Sequence, residues 1–194
     1  FIVACGGGET EEVVVEEVVA ENAIYYADVN ASEVNWRGEV AGVYGHEGYV
    51  NLQSGMIEMA GDEIIGGEFA VDMSAFYPTD TASYKDVDGG RITDLQNHLT
   101  QEDFFASATY PVATFQVTEV NGKALTGELT VRGKTSTETF NITKLEKTMN
   151  GISMSGTLVF DRQKYDVAWV HFMKDMILSD DISIKVNLLA STKL

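Results

Sequence analysis

The sequence contains few cysteines, prolines and basic residues. A single cysteine, Cys5, excludes an internal disulfide framework. Thirteen Lys and Arg residues against thirty Asp and Glu leave a net charge of −17, which disfavours nucleic acids and anionic membrane surfaces as direct partners. No run of residues is long and apolar enough to span a bilayer. Two prolines beside eighteen glycines are instead typical of a sheet protein with many tight turns.

Motifs for catalysis or metal binding are also lacking. The three histidines, His46, His98 and His171, lie on separate segments without an HxxxH or CxxC pair, and only Glu47 stands beside one of them as an acidic neighbour. No GxSxG elbow occurs. The sequence therefore predicts structural or hydrogen-bonding histidines and a protein that is not an enzyme, with no metal and no cofactor.

The N-terminal segment differs in composition from the rest of the chain. Residues 2–5, IVAC, resemble the lipobox that ends a bacterial lipoprotein signal peptide, and a glycine triplet and an acidic stretch follow. We interpret residues 1–23 as a signal-peptide remnant, a lipidation site at Cys5 and a flexible acidic tether. The alternative is that Cys5 is an incidental thiol and that residues 13–19 pack on the domain. The first interpretation predicts a membrane anchor and a location in the bacterial cell envelope, in the periplasm or outer membrane.

Residues 24–194 alternate between apolar and polar side chains. Val34, Trp36 and Gly38 share one face of a predicted strand, and similar stripes recur to the end of the chain. Stripes that are apolar on one face only predict antiparallel strands with one dry side. About eight such strands can close into a barrel. Residues 74–90 interrupt the pattern and are predicted to be a polar insertion.

A short helix is predicted before the central strands. Leu95 and Leu99 recur at helical spacing, and Thr100 with Asp103 has the spacing of an N-terminal capping pair. The Tyr110-Pro111 dipeptide, at residues 110–111, then breaks the helix before a new strand begins. The segment therefore places a helical insertion and several large apolar side chains at one corner of the sheet.

Six pieces of sequence in consistent order resemble the YceI-like family of lipid-binding barrels. They are VNWRG at 34–38, GGEFAVDM at 66–73, the HL, DFF and YPVATF signature at 98–115, GELTVRGKT at 127–135, GTLVFDRQKYDV at 156–167 and LSDDISIKVNLLA at 178–190. The resemblance implies a mainly β fold, a lipocalin-like antiparallel β-barrel of about eight strands. It also implies that the lumen holds a long apolar chain of the polyisoprenoid, quinone or fatty acid or amide type, without catalysis.

Whether the lumen is open or filled is a separate question. Glycines within the apolar faces, Gly38, Gly127 and Gly156, and plentiful methionines favour unfilled space and adaptable walls. The alternative is that these are ordinary core residues. A filled barrel would then predict a ligand-free scaffold or interaction lipoprotein of the envelope, and a homodimer is compatible with either hypothesis.

The residues predicted to bind the ligand lie on the apolar faces and in the signature corner. They are Trp36, Phe69, Met73, Leu99, Phe104, Phe105, Phe115, Leu129, Phe140, Leu158, Phe160 and Trp169. The apolar segment 165–176 is either a lid over the entrance or another core strand. Asp161 and Arg162 are predicted to have a structural role, because adjacent side chains on a strand point to opposite faces.

Overall fold

Nine strands and one α-helix form the described part of the protein. A computed structural model describes residues 21–40, 44–148, 151–169 and 178–192. The strands are β1 (Asn22–Ala27), β2 (Glu33–Val40), β3 (Tyr44–Ala60), β4 (Glu63–Pro78), β5 (Val112–Asn121), β6 (Ala124–Val131), β7 (Lys134–Lys147), β8 (Gly151–Asp161) and β9 (Leu178–Ser191). The helix α1 (Ile92–Thr100) lies between β4 and β5.

The strands close into an antiparallel barrel. Consecutive strands from β3 to β9 pair with one another, and β9 pairs back onto β2 and β1. The strands β1 and β2 both pair with β3, β2 against its first half and β1 against its last residues. They therefore occupy one position in the barrel as a single interrupted strand, and the nine strands form eight positions. The predicted mainly β, lipocalin-like barrel of about eight strands is confirmed.

The alternation seen in the sequence corresponds to inward and outward faces. In β6, Leu125 and Leu129 are buried while Glu128 between them is exposed. The hairpin from β6 to β7 turns at Arg132 and Gly133, which both have positive φ, 50° and 70°. Two successive positive φ values are the signature of a type I′ turn, whose twist matches that of the flanking strands.

The predicted polar insertion at 74–90 is wrong in its first part. The strand β4 continues to Pro78, and Phe76 within it is buried. The pairing of β3 with β4 shifts between Tyr49 and Asn51, which lie opposite Tyr77 and Asp72. This bulge changes the spacing of the inward-facing residues. The regular alternation of apolar and polar residues therefore ends here, although the strand continues.

The predicted capping pair of the helix is also wrong. Thr100 is the last residue of α1, and its hydroxyl donates to the carbonyl of Asn97. At the N-terminal end the carboxylate of Asp94 accepts the backbone N–H of Arg91 at 2.9 Å. The Gln96 side chain donates to the carbonyl of Phe76 at 3.0 Å, which fixes α1 against β4.

Arg162 holds the turn that follows β8. Its side chain is almost fully buried and donates to the carbonyls of Val167, Trp169 and Ser179 and to Asp180 Oδ1. Burial lowers the pKa of the Arg162 guanidinium, and the nearby Asp180 carboxylate opposes this effect. These contacts support the predicted structural role.

Several sequence predictions lie outside the described residues. They include Cys5 and most of the tether, His171, and residues 170–177 of the segment predicted as a lid or a strand. The first strand begins at Asn22, two residues before the predicted domain boundary at 24. The predicted division at 23 and 24 stays a prediction.

Candidate ligand-binding cavity

The lumen of the barrel contains a cavity of about 770 Å³. Its walls come from inward-facing residues of eight of the nine strands, β2 to β9, and from α1, and most of them are apolar. Cavities of roughly 300–1,000 Å³ that are mainly apolar, with a few polar groups, are typical of sites that enclose small molecules. This volume is near the upper end of that range.

The twelve side chains predicted to bind a ligand all line this one cavity. They are Trp36, Phe69, Met73, Leu99, Phe104, Phe105, Phe115, Leu129, Phe140, Leu158, Phe160 and Trp169. Their contact with a ligand stays a prediction. Met154 also lines the cavity, whereas the buried Met59 does not.

Two of the glycines predicted to leave space do not. A Cβ atom at Gly156 would lie 2.4 Å from two ring carbons of Phe140, and one at Gly127 would lie 2.9 Å from the ring of Phe115. Aromatic rings from the neighbouring strands pack directly against these glycines and fill the volume that a side chain would otherwise occupy. Gly38 does line the cavity.

The signature corner provides an aromatic wall. The ring centroid of His98 lies 4.6 Å from Trp169 and 5.3 Å from Phe104, and Phe104 lies 4.9 Å from Phe105. Phe105 in turn stacks on Phe76 at 5.2 Å. Each such edge-to-face or stacked pair of aromatic rings contributes roughly 0.5–1.5 kcal/mol beyond the area that the rings bury, which stabilises this wall.

Two polar side chains of the cavity, His46 and Tyr84, form a hydrogen-bonded group with Asp80. Asp80 Oδ2 lies 2.8 Å from His46 Nδ1, and Asp80 Oδ1 accepts the hydroxyl of Tyr84 at 3.0 Å. The rings of His46 and Tyr84 stack at 5.5 Å. Because a carboxylate only accepts hydrogen bonds, we assign the proton to His46 Nδ1.

The ionisation of Asp80 and Tyr84 follows from this arrangement. Burial alone would raise the pKa of the Asp80 carboxyl, but the hydrogen bonds from His46 and Tyr84 outweigh it and hold that pKa below its ordinary value. Burial and the Asp80 carboxylate together raise the pKa of the Tyr84 hydroxyl. At neutral pH the group therefore contains a carboxylate and a neutral phenol.

The acidic partner of His46 was not predicted from the sequence. Glu47, its neighbour in the chain, instead pairs with Arg37 at 2.9 Å on an exposed surface. Adjacent residues on a strand point to opposite faces, so Glu47 cannot share the inner face with His46. Asp80 contacts His46 from the segment after β4. The only feature of the sequence that marks this segment is the aromatic Tyr84 within an otherwise polar stretch.

Two buried nitrogens in the cavity wall lack a hydrogen-bond partner in the part of the chain that the structure describes. They are Nε1 of Trp36 and Nε2 of His98. Burial lowers the pKa of the His98 imidazole, and the charge of Asp103 opposes this effect. His98 is therefore neutral at neutral pH.

The described residues contain neither a group of metal ligands nor a membrane-spanning helix. Within residues 21–40, 44–148, 151–169 and 178–192, no three His, Cys, Asp or Glu side chains are grouped so that they could hold a metal ion. No helix in these same ranges has the length and apolar character needed to cross a membrane.

Comparison with known proteins decides the family. A family model described as a YceI-like domain matches residues 25–190. The chain belongs to the YceI-like family. A UPF0312 protein of Staphylococcus epidermidis is 34% identical over 80 residues, which are 38% of this chain and 47% of that protein. A UPF0312 protein of Staphylococcus aureus is 31% identical over 77 residues, which are 37% of this chain and 45% of that protein. The aligned region thus spans about half the length of these relatives.

Solved structures share the fold of this YceI-like domain. Burkholderia cenocepacia BcnA has a TM-score of 0.61 at 21% identity, covering 85% of this chain and 99% of that one. A polyisoprenoid binding domain from Saccharophagus degradans, implicated in plant cell wall breakdown, has a TM-score of 0.57 at 13% identity and covers 88% and 99%. At these identities the likeness establishes the barrel fold.

Proposed function

We propose that this YceI-like domain binds one long-chain hydrophobic molecule in its lumen and sequesters or carries it without making or breaking a bond. The observation that carries the proposal is the apolar cavity of about 770 Å³ within the barrel. Each methylene group moved from water into such a cavity contributes about 0.8 kcal/mol. A chain of the polyisoprenoid, quinone or fatty acid or amide type would therefore gain most of its affinity from burial. The polyisoprenoid binding named for the Saccharophagus degradans domain supports this ligand class.

The structure favours this function over a ligand-free scaffold. A barrel filled by its own side chains would leave no space of this size beside Leu129 and Leu158, which face the lumen from β6 and β8. His46 and Tyr84, which are hydrogen-bonded to Asp80, occupy part of the wall and are placed to orient one end of a ligand, but the remaining walls offer few polar groups for specific recognition.

Native mass spectrometry of the gently purified protein, followed by organic extraction, tests the proposal. We expect a discrete adduct that is lost on denaturation, or uptake of an added prenyl or fatty amide compound. Leu129→Trp should reduce uptake because the larger ring occupies the lumen, and Val159→Trp, on the half-exposed outer side of β8, should not. Loss of uptake with both variants, or a clean apo mass without uptake by the native protein, would contradict the proposal.

The location of the protein forms part of the same proposal. The lipobox-like sequence that ends at Cys5 supports a lipid anchor in the bacterial envelope. Expression of the full chain in a bacterium, with Cys5→Ser as the control, tests this by membrane fractionation and intact mass. An identical distribution of the two proteins, with masses that differ only by the exchange of sulfur for oxygen, would argue against the anchor.

A further inference from the structure

One end of the barrel is closed by its own side chains. Six buried apolar residues of β1, β3, β4, β8 and β9 pack there, and none of them lines the cavity. They are Tyr25, Ile57, Met59, Ile64, Ile152 and Leu188. At the same end, Lys147 Nζ donates to the carbonyl of Gly61 and pairs with Asp62 at 3.0 Å, which joins the β3–β4 turn to the end of β7. A ligand therefore has no open route into the lumen at this end.

The other end of the lumen is covered by residues 80–90, between β4 and α1, which we call the cap. Ser83, Tyr84, Gly89 and Gly90 of the cap line the cavity. Ser83 and Gly89 are also exposed to solvent, so the cap is a thin cover with the cavity on one side and water on the other. Tyr44, at the start of β3, likewise lines the cavity and is exposed. The mouth of the cavity lies at this end.

The backbone of the cap is not part of the barrel. None of its residues is buried. Among the described residues, no backbone group from Asp80 to Gly90 forms a backbone hydrogen bond with a strand, and the N–H of Lys85 instead donates to the carbonyl of Gly90 within the cap. Segments with few buried contacts are the ones that open locally while the rest of a domain stays folded. The cap can therefore move without a change in strand pairing.

Side chains attach the cap to its surroundings at two places. On β3, His46 Nδ1 lies 2.8 Å from Asp80 Oδ2, and these side chains are only 26% and 12% exposed. The Tyr84 hydroxyl donates to Asp80 Oδ1 at 3.0 Å, and its ring stacks on His46. On the other side, Arg91 pairs with two carboxylates of the cap that are almost fully exposed. Because water screens exposed pairs, the contacts with His46 are the stronger attachment.

We propose that the ligand enters and leaves the lumen under the cap, and that the hydrogen bonds of Asp80 with His46 and Tyr84 are the latch that keeps the cap closed. This inference rests on the proposed function and specifies how exchange at that site is controlled. Opening requires the rupture of this small group of side-chain contacts. Asp80 does not itself line the cavity, so its loss should change the rate of ligand exchange far more than the affinity.

Stopped-flow fluorescence tests the latch. The two tryptophans of the chain, Trp36 and Trp169, both line the cavity, so a quinone with an alkyl tail reports its own entry and release by quenching their emission. Asp80→Ala removes the acceptor that His46 and Tyr84 share. It should accelerate both entry and release by about 10-fold and change Kd by less than about 3-fold. Tyr84→Phe removes one hydroxyl and keeps the ring, so both rates should rise by about 3-fold.

Two variants are matched controls. Asp88→Ala removes the same charge from the same cap, but it breaks only an exposed pair with Arg91 and should leave both rates unchanged. Lys147→Met removes the contacts across the closed end and should also leave them unchanged. Unchanged rates in Asp80→Ala, or an equal acceleration by Asp88→Ala, would overturn the latch. Faster exchange in Lys147→Met would overturn the position of the entrance.

Two further outcomes separate the latch from the function on which it rests. If release from Asp80→Ala becomes faster while entry stays unchanged, Asp80 supports a contact with the bound ligand, and the latch is overturned although the lumen binds. If the native protein shows neither quenching by the quinone nor an adduct with added prenyl or fatty amide compounds, the proposed function fails, and the entrance fails with it.

Discussion

The ring of Phe140 on β7 lies over Gly156 on β8, so close that a Cβ atom at position 156 would be 2.4 Å from two of its carbons. The same Cβ would lie 2.6 Å from the carbonyl oxygen of Asn141. Phe140 is buried and forms part of the cavity wall. The shape of the lumen at this point therefore depends on the absence of a side chain on the neighbouring strand.

Gly156→Ala should lower the free energy of unfolding by about 1–3 kcal/mol, because the added methyl group forces the Phe140 ring and the strand backbone to move. Urea unfolding measures the loss. Gly66→Ala is the control, since its Cβ would meet only the flexible side chain of Glu58, at 3.3 Å. The double variant Phe140→Leu with Gly156→Ala should lose less stability than the sum of the losses in the two single variants. Equal losses for Gly156→Ala and Gly66→Ala would contradict this account.

Arg162→Met should cost about 3 kcal/mol or more. The substitution leaves several carbonyl groups between β8 and β9 without a donor, and each unsatisfied buried acceptor costs about 1–3 kcal/mol. Arg162→Lys should lose nearly as much, because one ammonium group cannot reach the positions that the guanidinium spans. Arg37→Met removes two exposed ion pairs and should leave stability nearly unchanged, because water and salt screen such pairs. Thermal and urea unfolding measure the stabilities of the three variants. Any order in which Arg37→Met loses as much stability as the two Arg162 variants would contradict the account.

The carboxylate of Glu138 provides a matched pair of substitutions. It is buried and accepts hydrogen bonds from Lys164 Nζ at 3.0 Å and from the hydroxyl of the fully buried Tyr165 at 3.1 Å. Glu138→Gln keeps an acceptor and should cost about 1 kcal/mol or less, whereas Glu138→Leu removes the acceptor of the buried Tyr165 hydroxyl and should cost about 1–3 kcal/mol. Unfolding in urea distinguishes the two, and a Gln variant as unstable as the Leu variant would refute the argument.

Stability should decrease on mild acidification because of His98. Its pKa in the folded protein lies below the ordinary value of 6.5, so just below that pH the unfolded chain binds a proton that the folded protein does not. The folded state therefore loses stability as the pH falls through about 6.5 towards the lower pKa, and this contribution is absent at higher pH. His98→Phe should remove it. The free energies of unfolding of the native protein and of His98→Phe, measured between about pH 5 and pH 8, should diverge only in the acidic part of the range. Parallel curves would rule out this effect of His98.

The regular strands could be predicted from the sequence because their information is local. The stripes in β6 and β8 keep strict alternation, so Leu129 and Leu158 could be assigned to the lumen from the residues around them. The family resemblance supplied the closure of the barrel, which alternation alone does not specify. All the predicted lumen residues depended on one of these two signals.

The polar group in the cavity could not be predicted, because it depends on contacts between distant segments. The bulge in β4 ends the alternation near Asp72, and beyond it Phe76 and Asp80 carry no periodic signal. Asp80 lies 34 positions after His46 in the chain, and no spacing rule predicts that the two side chains form a hydrogen bond. The roles of Gly127 and Gly156 could not be predicted for the same reason, since the ring that fills each space comes from another strand.

The closure of the barrel has a consequence for how the chain folds. Pairs such as Val34 with Val186 join β2 to β9 across almost the whole domain, while each strand from β3 onwards pairs with its neighbour in sequence. Hairpins between sequence neighbours form quickly, but the entropy of closing a loop of this length must be overcome before β2 and β9 can meet. We expect closure to be the late, slow event of folding. Until it occurs, β2 and β9 are open edges on which two incompletely folded chains could pair, so the aggregation tendency of this protein should be set by the rate of that last step.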